Sequence, residues 1–152
     1  MVFNNQSEED FYNKLISLNR PIIRSSEKDD MYEHIDFYID NNVSCDIKAT
    51  KKLNRSDNNA NKDIIWLEFK NVRGNVGWLC AKKLNKIVFA RLNKFYIFDR
   101  QKLLDFIKTF VLEPTIIHKT PIYRKIYRRT GRLDFITYVY YEDIKHLLEE
   151  II

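Results

Sequence analysis

Two short runs of alternating polarity hold the side chains of this sequence best suited to chemistry. In His34–Ile39, the residues His34, Asp36 and Tyr38 alternate with Ile35, Phe37 and Ile39. In the run from Val43, the residues Ser44, Asp46, Lys48 and Thr50 alternate with Val43, Cys45, Ile47 and Ala49. A period of two predicts strands, so Asp46 and Lys48 point the same way. Whether Asp36 joins them depends on the turn. With a three-residue loop, Asp40-Asn41-Asn42, Ile39 pairs with Val43 and Asp36 falls opposite Asp46. A two-residue Asn41-Asn42 loop turns Asp36 to the other face. The apolar rows agree with the longer loop, which sets Ile35, Phe37 and Ile39 beside Cys45, Ile47 and Val43. The sequence by itself admits both turns.

In the first register two carboxylates and an ammonium converge. Hard oxygen ligands at ~2.1 Å suit Mg²⁺, with Mn²⁺ as a substitute, the shell being completed by waters and phosphate oxygens. Such a cation polarises a phosphate and acidifies water. Lys48 is then placed to orient that water or to stabilise charge growing on phosphorus. His34 shares the parity of Asp36, and Glu33 precedes it, so both are supporting candidates. His118 and His146 have no ligand spacing with either cysteine, which argues against zinc. Trp66 and Trp78 read as sheet packing, with base stacking as the alternative. Gly74 and Gly77 read as turn residues.

Charge points to a polyanionic partner. Lys and Arg number 26 against 21 Asp and Glu, a net charge of +5. From Lys119 to Arg132 there are six basic residues and no acid. Arg124, Lys125, Arg128, Arg129 and Arg132, interleaved with Tyr123 and Tyr127, are the candidates for a phosphate backbone. The plainer reading is an edge hairpin that uses positive charge to discourage strand pairing. Carboxylates gather instead in the first forty residues.

The elements that must position these groups follow from periodicity. Residues 8–18 read as an amphipathic helix with Phe11, Leu15 and Leu18 on one face and Ser7 as its cap. Ser25–Met31 is a short helix or a loop. After the first hairpin, Lys51–Asp63 reads as a loop and Ile64–Asn71 as a third strand. Val76–Cys80 reads as a fourth strand, and Lys86–Leu92 and Phe95–Phe98 as a strand pair. Arg100–Val111 reads as a helix, and Pro114 and Pro121 bracket a connector. Ile122–Arg128 and Leu133–Tyr140 form a last hairpin, and Glu142–Ile152 a closing helix. The expected class is α/β (mixed α+β), one domain over residues 1–152.

Composition bounds the rest. Hydrophobic residues make up 45% and aromatic residues 14%, enough for a core. No apolar run nears the ~20 residues of a membrane span, and Met1–Asp10 is unlike a signal peptide. Two cysteines suggest a reducing compartment. The expectation is a cytoplasmic protein with no membrane partner.

His34-Ile-Asp36 followed by Asp46-Ile-Lys48 resembles the motif of the PD-(D/E)XK nuclease superfamily. The longer run through Lys51-Lys52 and Trp66-Leu-Glu68-Phe-Lys70, on to Gly74, Gly77 and Trp78, is similar to small phage-type nucleases of that group. The resemblance spans roughly residues 30–140, most of a domain. It implies a restriction-endonuclease-like central mixed sheet flanked by helices, and a Mg²⁺-dependent endonuclease hydrolysing phosphodiesters, most simply in DNA. Asp36 and Asp46 would bind metal, Lys48 would assist the nucleophile, and Glu68 would be an added ligand. Ile35 stands where the motif has Pro, and Asp46 where it often has Glu. A rival register takes Asp46 as the first acid and Glu68-Phe69-Lys70 as the second half. The alternative function is an inactive DNA-binding or inhibitory module, and RNA would serve the same site. A homodimer would ease cutting of two strands. If the gene is phage-encoded, the compartment is the host cytoplasm.

Overall fold

The computed structural model describes residues 1–113 and 115–152; Pro114, one bracket of the expected connector, lies outside the described residues. The chain forms two compact units. The first comprises residues 1–49, 82–100 and 148–152, and the second residues 50–81 and 101–147. The fold is mixed α/β, as the patterning implies.

The first unit is a six-stranded sheet in the order β1-β2-β3-β5-β6-β8. Its strands are β1 (Ile22–Arg24), β2 (Phe37–Ile39), β3 (Val43–Ala49), β5 (Lys86–Arg91), β6 (Lys94–Asp99) and β8 (Leu148–Ile151). β3 and β5 run parallel and all other neighbours antiparallel, so the sheet is mixed. Helix α1 (Gln6–Ser17) lays Phe11 and Leu15 against Phe37, Ile39, Cys45, Ile47, Val88, Phe95 and Ile97 to make the core. Its N-cap is Asn5, whose side chain accepts from the Glu8 N–H, not Ser7.

The first hairpin takes the three-residue loop. Asp40, Asn41 and Asn42 have φ of 48°, 64° and 95°, a left-handed run that short polar side chains tolerate. Ile39 pairs with Val43, and Phe37 with Cys45. The strand before it is shorter than expected. Helix α2 (Glu27–Glu33), capped by Ser26, ends at His34 in the left-handed conformation with φ 58°. His34 therefore terminates a helix, and its supposed strand parity with Asp36 does not exist.

The second unit has a two-stranded antiparallel ribbon of β4 (Ile64–Lys70) and β7 (Phe135–Tyr140). It also holds nearly all of helix α3 (Arg100–Phe110). The expected strand Val76–Cys80 is one bridge, Lys70 to Val76, then a 3-10 turn over Trp78–Cys80. Residues 122–128 make no regular strand, only isolated bridges such as Tyr127 to Ile136. Gly74 is a turn residue with φ 81°, but Gly77 has another purpose. A Cβ there would meet the Glu68 carbonyl oxygen at 2.5 Å, because the Gly77 N–H donates to Phe69 at 2.9 Å.

The closing helix is the largest departure. Helix α4 (Tyr141–Ile144) is one turn, followed by a 3-10 turn, and then β8 pairs with β6. Ile144, Leu147, Leu148 and Ile151 have helical spacing, yet β6 offers an open edge whose backbone groups Leu148–Ile151 satisfy. Lys86 pairs with Glu149, and Arg20 with Glu150 at 3.0 Å, fixing the strand.

Replacing Gly77 with Ala forces a methyl group into the β4 backbone. A loss of about 2 kcal/mol is expected, or ~4 °C or more in Tm by thermal melt. An unchanged Tm would show that the close approach is relaxed at no cost.

Candidate metal centre

The hairpin delivers Asp36 and Asp46 to each other. Asp46 lies mid-strand in β3, beside Ile87 of β5. Asp36 sits one residue before β2, held by its own N–H to the Cys45 carbonyl (2.9 Å) and by the Ser25 N–H to its carbonyl (3.0 Å). Its carboxylate folds back onto the ladder, where Oδ2 accepts from the Ile47 N–H at 2.8 Å. Neither acid is on a solvated face: Asp36 is 6% exposed and Asp46 3%. Lys48 Nζ lies 3.0 Å from Asp46 Oδ2. That approach is an ion pair, in which the ammonium answers this buried oxygen.

Burial pushes the Asp36 carboxyl up to about 9. The charge of Asp46, a hydrogen bond to it, and the charge of Glu8 push the same way, and only the Ile47 N–H opposes them. Two carboxylates in one dry pocket cannot both ionise cheaply, so at neutral pH Asp36 holds a proton and donates it towards Asp46.

Glu8 is a buried acid that the sequence patterning did not single out. It is 3% exposed, paired with Arg24 at 3.1 Å and bonded by the Asn4 N–H. Its signal was present: Glu8, Phe11 and Leu15 follow the i, i+3, i+7 spacing of the buried face, so Glu8 had to point inward.

The other candidates lie on other elements. Glu33 approaches Lys83 at 3.7 Å. Glu68 and Lys70 lie on β4 in the second unit, with a bulge between them, and Lys70 stands 4.5 Å over the Phe135 ring. Arg129 holds the fully buried Asp134 with both its Nε and its backbone N–H. Arg124 donates to the Phe110 carbonyl, Lys125 meets Glu113 at 3.4 Å, and Arg128 covers Phe135. Arg132 is half-buried and Lys119 exposed.

The residues fit a divalent cation. Paired carboxylates sharing one proton are an arrangement that a cation relieves. Among the described residues no three His, Cys, Asp or Glu side chains group around one point, so a cation here would rest on two carboxylates. No helix among them is long and apolar enough to cross a membrane.

Fold and site together define a mixed α/β protein with a buried aspartate pair and an adjacent lysine. No family model, curated protein or solved structure matches the chain.

The sign of the pH effect follows from Asp36. Its folded pKa lies above the usual carboxylate value, so the native state binds the extra proton. Metal-free stability therefore falls as pH rises from about 4 to about 9 and is level above that. Asp36→Asn should flatten this slope and raise the metal-free Tm at pH 7 by more than ~3 °C, with little gain near pH 4. Equal slopes in both proteins, followed by thermal melts, would dismiss the shared proton.

Proposed function

We propose that the chain is a metal-dependent phosphodiesterase, a nuclease acting on DNA with Mg²⁺ or Mn²⁺ as cofactor. The observation that carries this reading is the buried Asp36–Asp46 pair with Lys48 Nζ 3.0 Å from Asp46 Oδ2. It is the set that the resemblance to PD-(D/E)XK nucleases requires, supported here by the hairpin register. When bound, the cation supplies charge neutralisation for the phosphate and acidifies water.

The chain's own residues do the remaining work. Asp36 and Asp46 would hold the ion, with Asp36 giving up its proton to solvent. The Ile47 N–H fixes the Asp36 carboxylate, so the pair is set before substrate arrives. Lys48 extends past Asp46 and remains about a quarter exposed, so its ammonium can reach a phosphate oxygen or a water while anchored to the pair. Glu8, though paired with Arg24, adds a small negative contribution at Asp36. Phosphate contact falls best to Lys119 and Arg132, since Arg129 is committed to Asp134. One such centre cuts one strand at a time, so a double-strand break calls for two visits or a second copy.

The test is incubation with plasmid, single-stranded DNA and RNA in Mg²⁺, Mn²⁺ or EDTA. Cleavage of DNA should require the metal. Asp46→Ala should abolish it, and Lys48→Ala should slow it by about 10²–10³-fold. Hydrolysis that survives EDTA or Asp46→Ala would remove the site from the reaction.

A further inference from the structure

The charge of the molecule is divided between its units. The second unit carries fifteen Lys and Arg against eight Asp and Glu, a net +7. The first carries eleven against thirteen, a net −2. The cationic unit also bears a surface that the hydrolytic centre does not use.

The β4–β7 ribbon has two unlike faces. One is wholly buried, through Ile65, Leu67, Thr137 and Val139. The other carries Trp66, Tyr138 and Tyr140 beside Ile64, Glu68 and Ile136. Trp66 sits opposite Tyr138, with ring centroids 5.4 Å apart, and Tyr127 lies 6.2 Å from Trp66. Tyr123 and Tyr140 lean together at 4.8 Å. Tyr138 is buried as the floor, Trp66, Tyr123 and Tyr127 are half-buried, and Tyr140 is 41% exposed.

One cation stands beside these rings. The Arg124 guanidinium is 3.8 Å over Phe110 and 6.0 Å from Tyr123. Flat rings left half open in a unit of +7 match a ligand that is both polyanionic and carries exposed π-faces. A duplex hides its base faces, whereas a single strand offers them, and each stack adds ~1–3 kcal/mol.

We infer that the aromatic face of the β4–β7 ribbon is a stacking platform for single-stranded DNA. The choice of DNA over RNA rests on the proposed hydrolytic function; the stacking geometry does not depend on it. Bases lie on Trp66, Tyr127 and Tyr140, and the net positive charge of the unit attracts the phosphates.

The test is binding of oligothymidylate of ~12 nucleotides to the full chain in EDTA, where no cleavage occurs. In a Trp78→Phe protein, Trp66 is the sole tryptophan, and the oligonucleotide should quench its emission. Tyr127→Leu and Tyr140→Leu should each weaken that binding about 10-fold while changing duplex affinity less than twofold. Circular dichroism confirms that each variant is folded, and Tyr140, being exposed, is the variant least able to disturb packing. Equal loss for duplex and single strand, absence of quenching, tighter binding of oligouridylate, or self-association through this face in place of binding would each overturn the inference. A chain that binds the strand in EDTA but never cuts with metal retains this platform and refutes the hydrolytic function. One that cuts duplex and ignores the strand does the reverse.

Discussion

Two carboxyl groups held together out of water govern the first unit. Asp36 and Asp46 stand on adjacent segments of one ladder, and burial with mutual repulsion raises Asp36 to about 9. That arrangement is costly unless a proton or a cation sits between the acids. Several local features maintain it. The left-handed Asp40-Asn41-Asn42 loop sets the register, Ser25 and Cys45 pin the backbone of Asp36, and the Ile47 N–H orients its carboxylate. Behind the pair, Phe37 and Cys45 lock the same ladder into the core packed by Phe11 and Leu15. A one-residue slip of β2 would send Asp36 into that apolar layer, so core packing and site geometry are enforced by the same register.

Stability and the proposed chemistry oppose each other here. A lone buried acid pair weakens the metal-free fold, while a cluster of ion pairs braces the surrounding sheet. Arg20 ties Asp40, at the hairpin loop, to Glu150 of β8, while Lys86 joins β5 to Glu149. The last residues of the chain thus close the open edge of β6 and brace the sheet that carries the acids. Glu8 brings a third buried carboxylate into the same unit, with its charge answered by Arg24.

The second unit has a different electrostatic character. Much of its positive charge is engaged internally, with Arg129 on Asp134, Arg124 on Phe110 and Lys125 near Glu113. A run of basic residues in a sequence is therefore a poor count of the charges free to meet a phosphate. What distinguishes the unit is the combination of net charge with half-open aromatic rings, a pairing that only the ribbon's two-faced geometry produces.

Local patterning determined Phe11 and Leu15 of the α1 stripe, but not Leu18, which is exposed. It also determined the mixed α/β class, the first hairpin up to a choice of two loops, the β5–β6 pair and the α3 helix. Each depends on neighbours a few residues apart, where period and turn chemistry act directly. The same proximity made Asp36, Asp46 and Lys48 legible as one patch. Tertiary structure alone decided the rest. Leu148–Ile151 has the spacing of a helix but becomes a strand because β6 would otherwise leave its backbone groups unpaired. His34 ends a helix because Ser26 starts one, and Gly77 is small because β4 passes within contact distance. Above all, a period of two could say which side chains share a face, but not that this polar face would be closed to water. Burial is a property of the whole packed chain, and here it turns two ordinary acids into a pair that must share a proton or a cation.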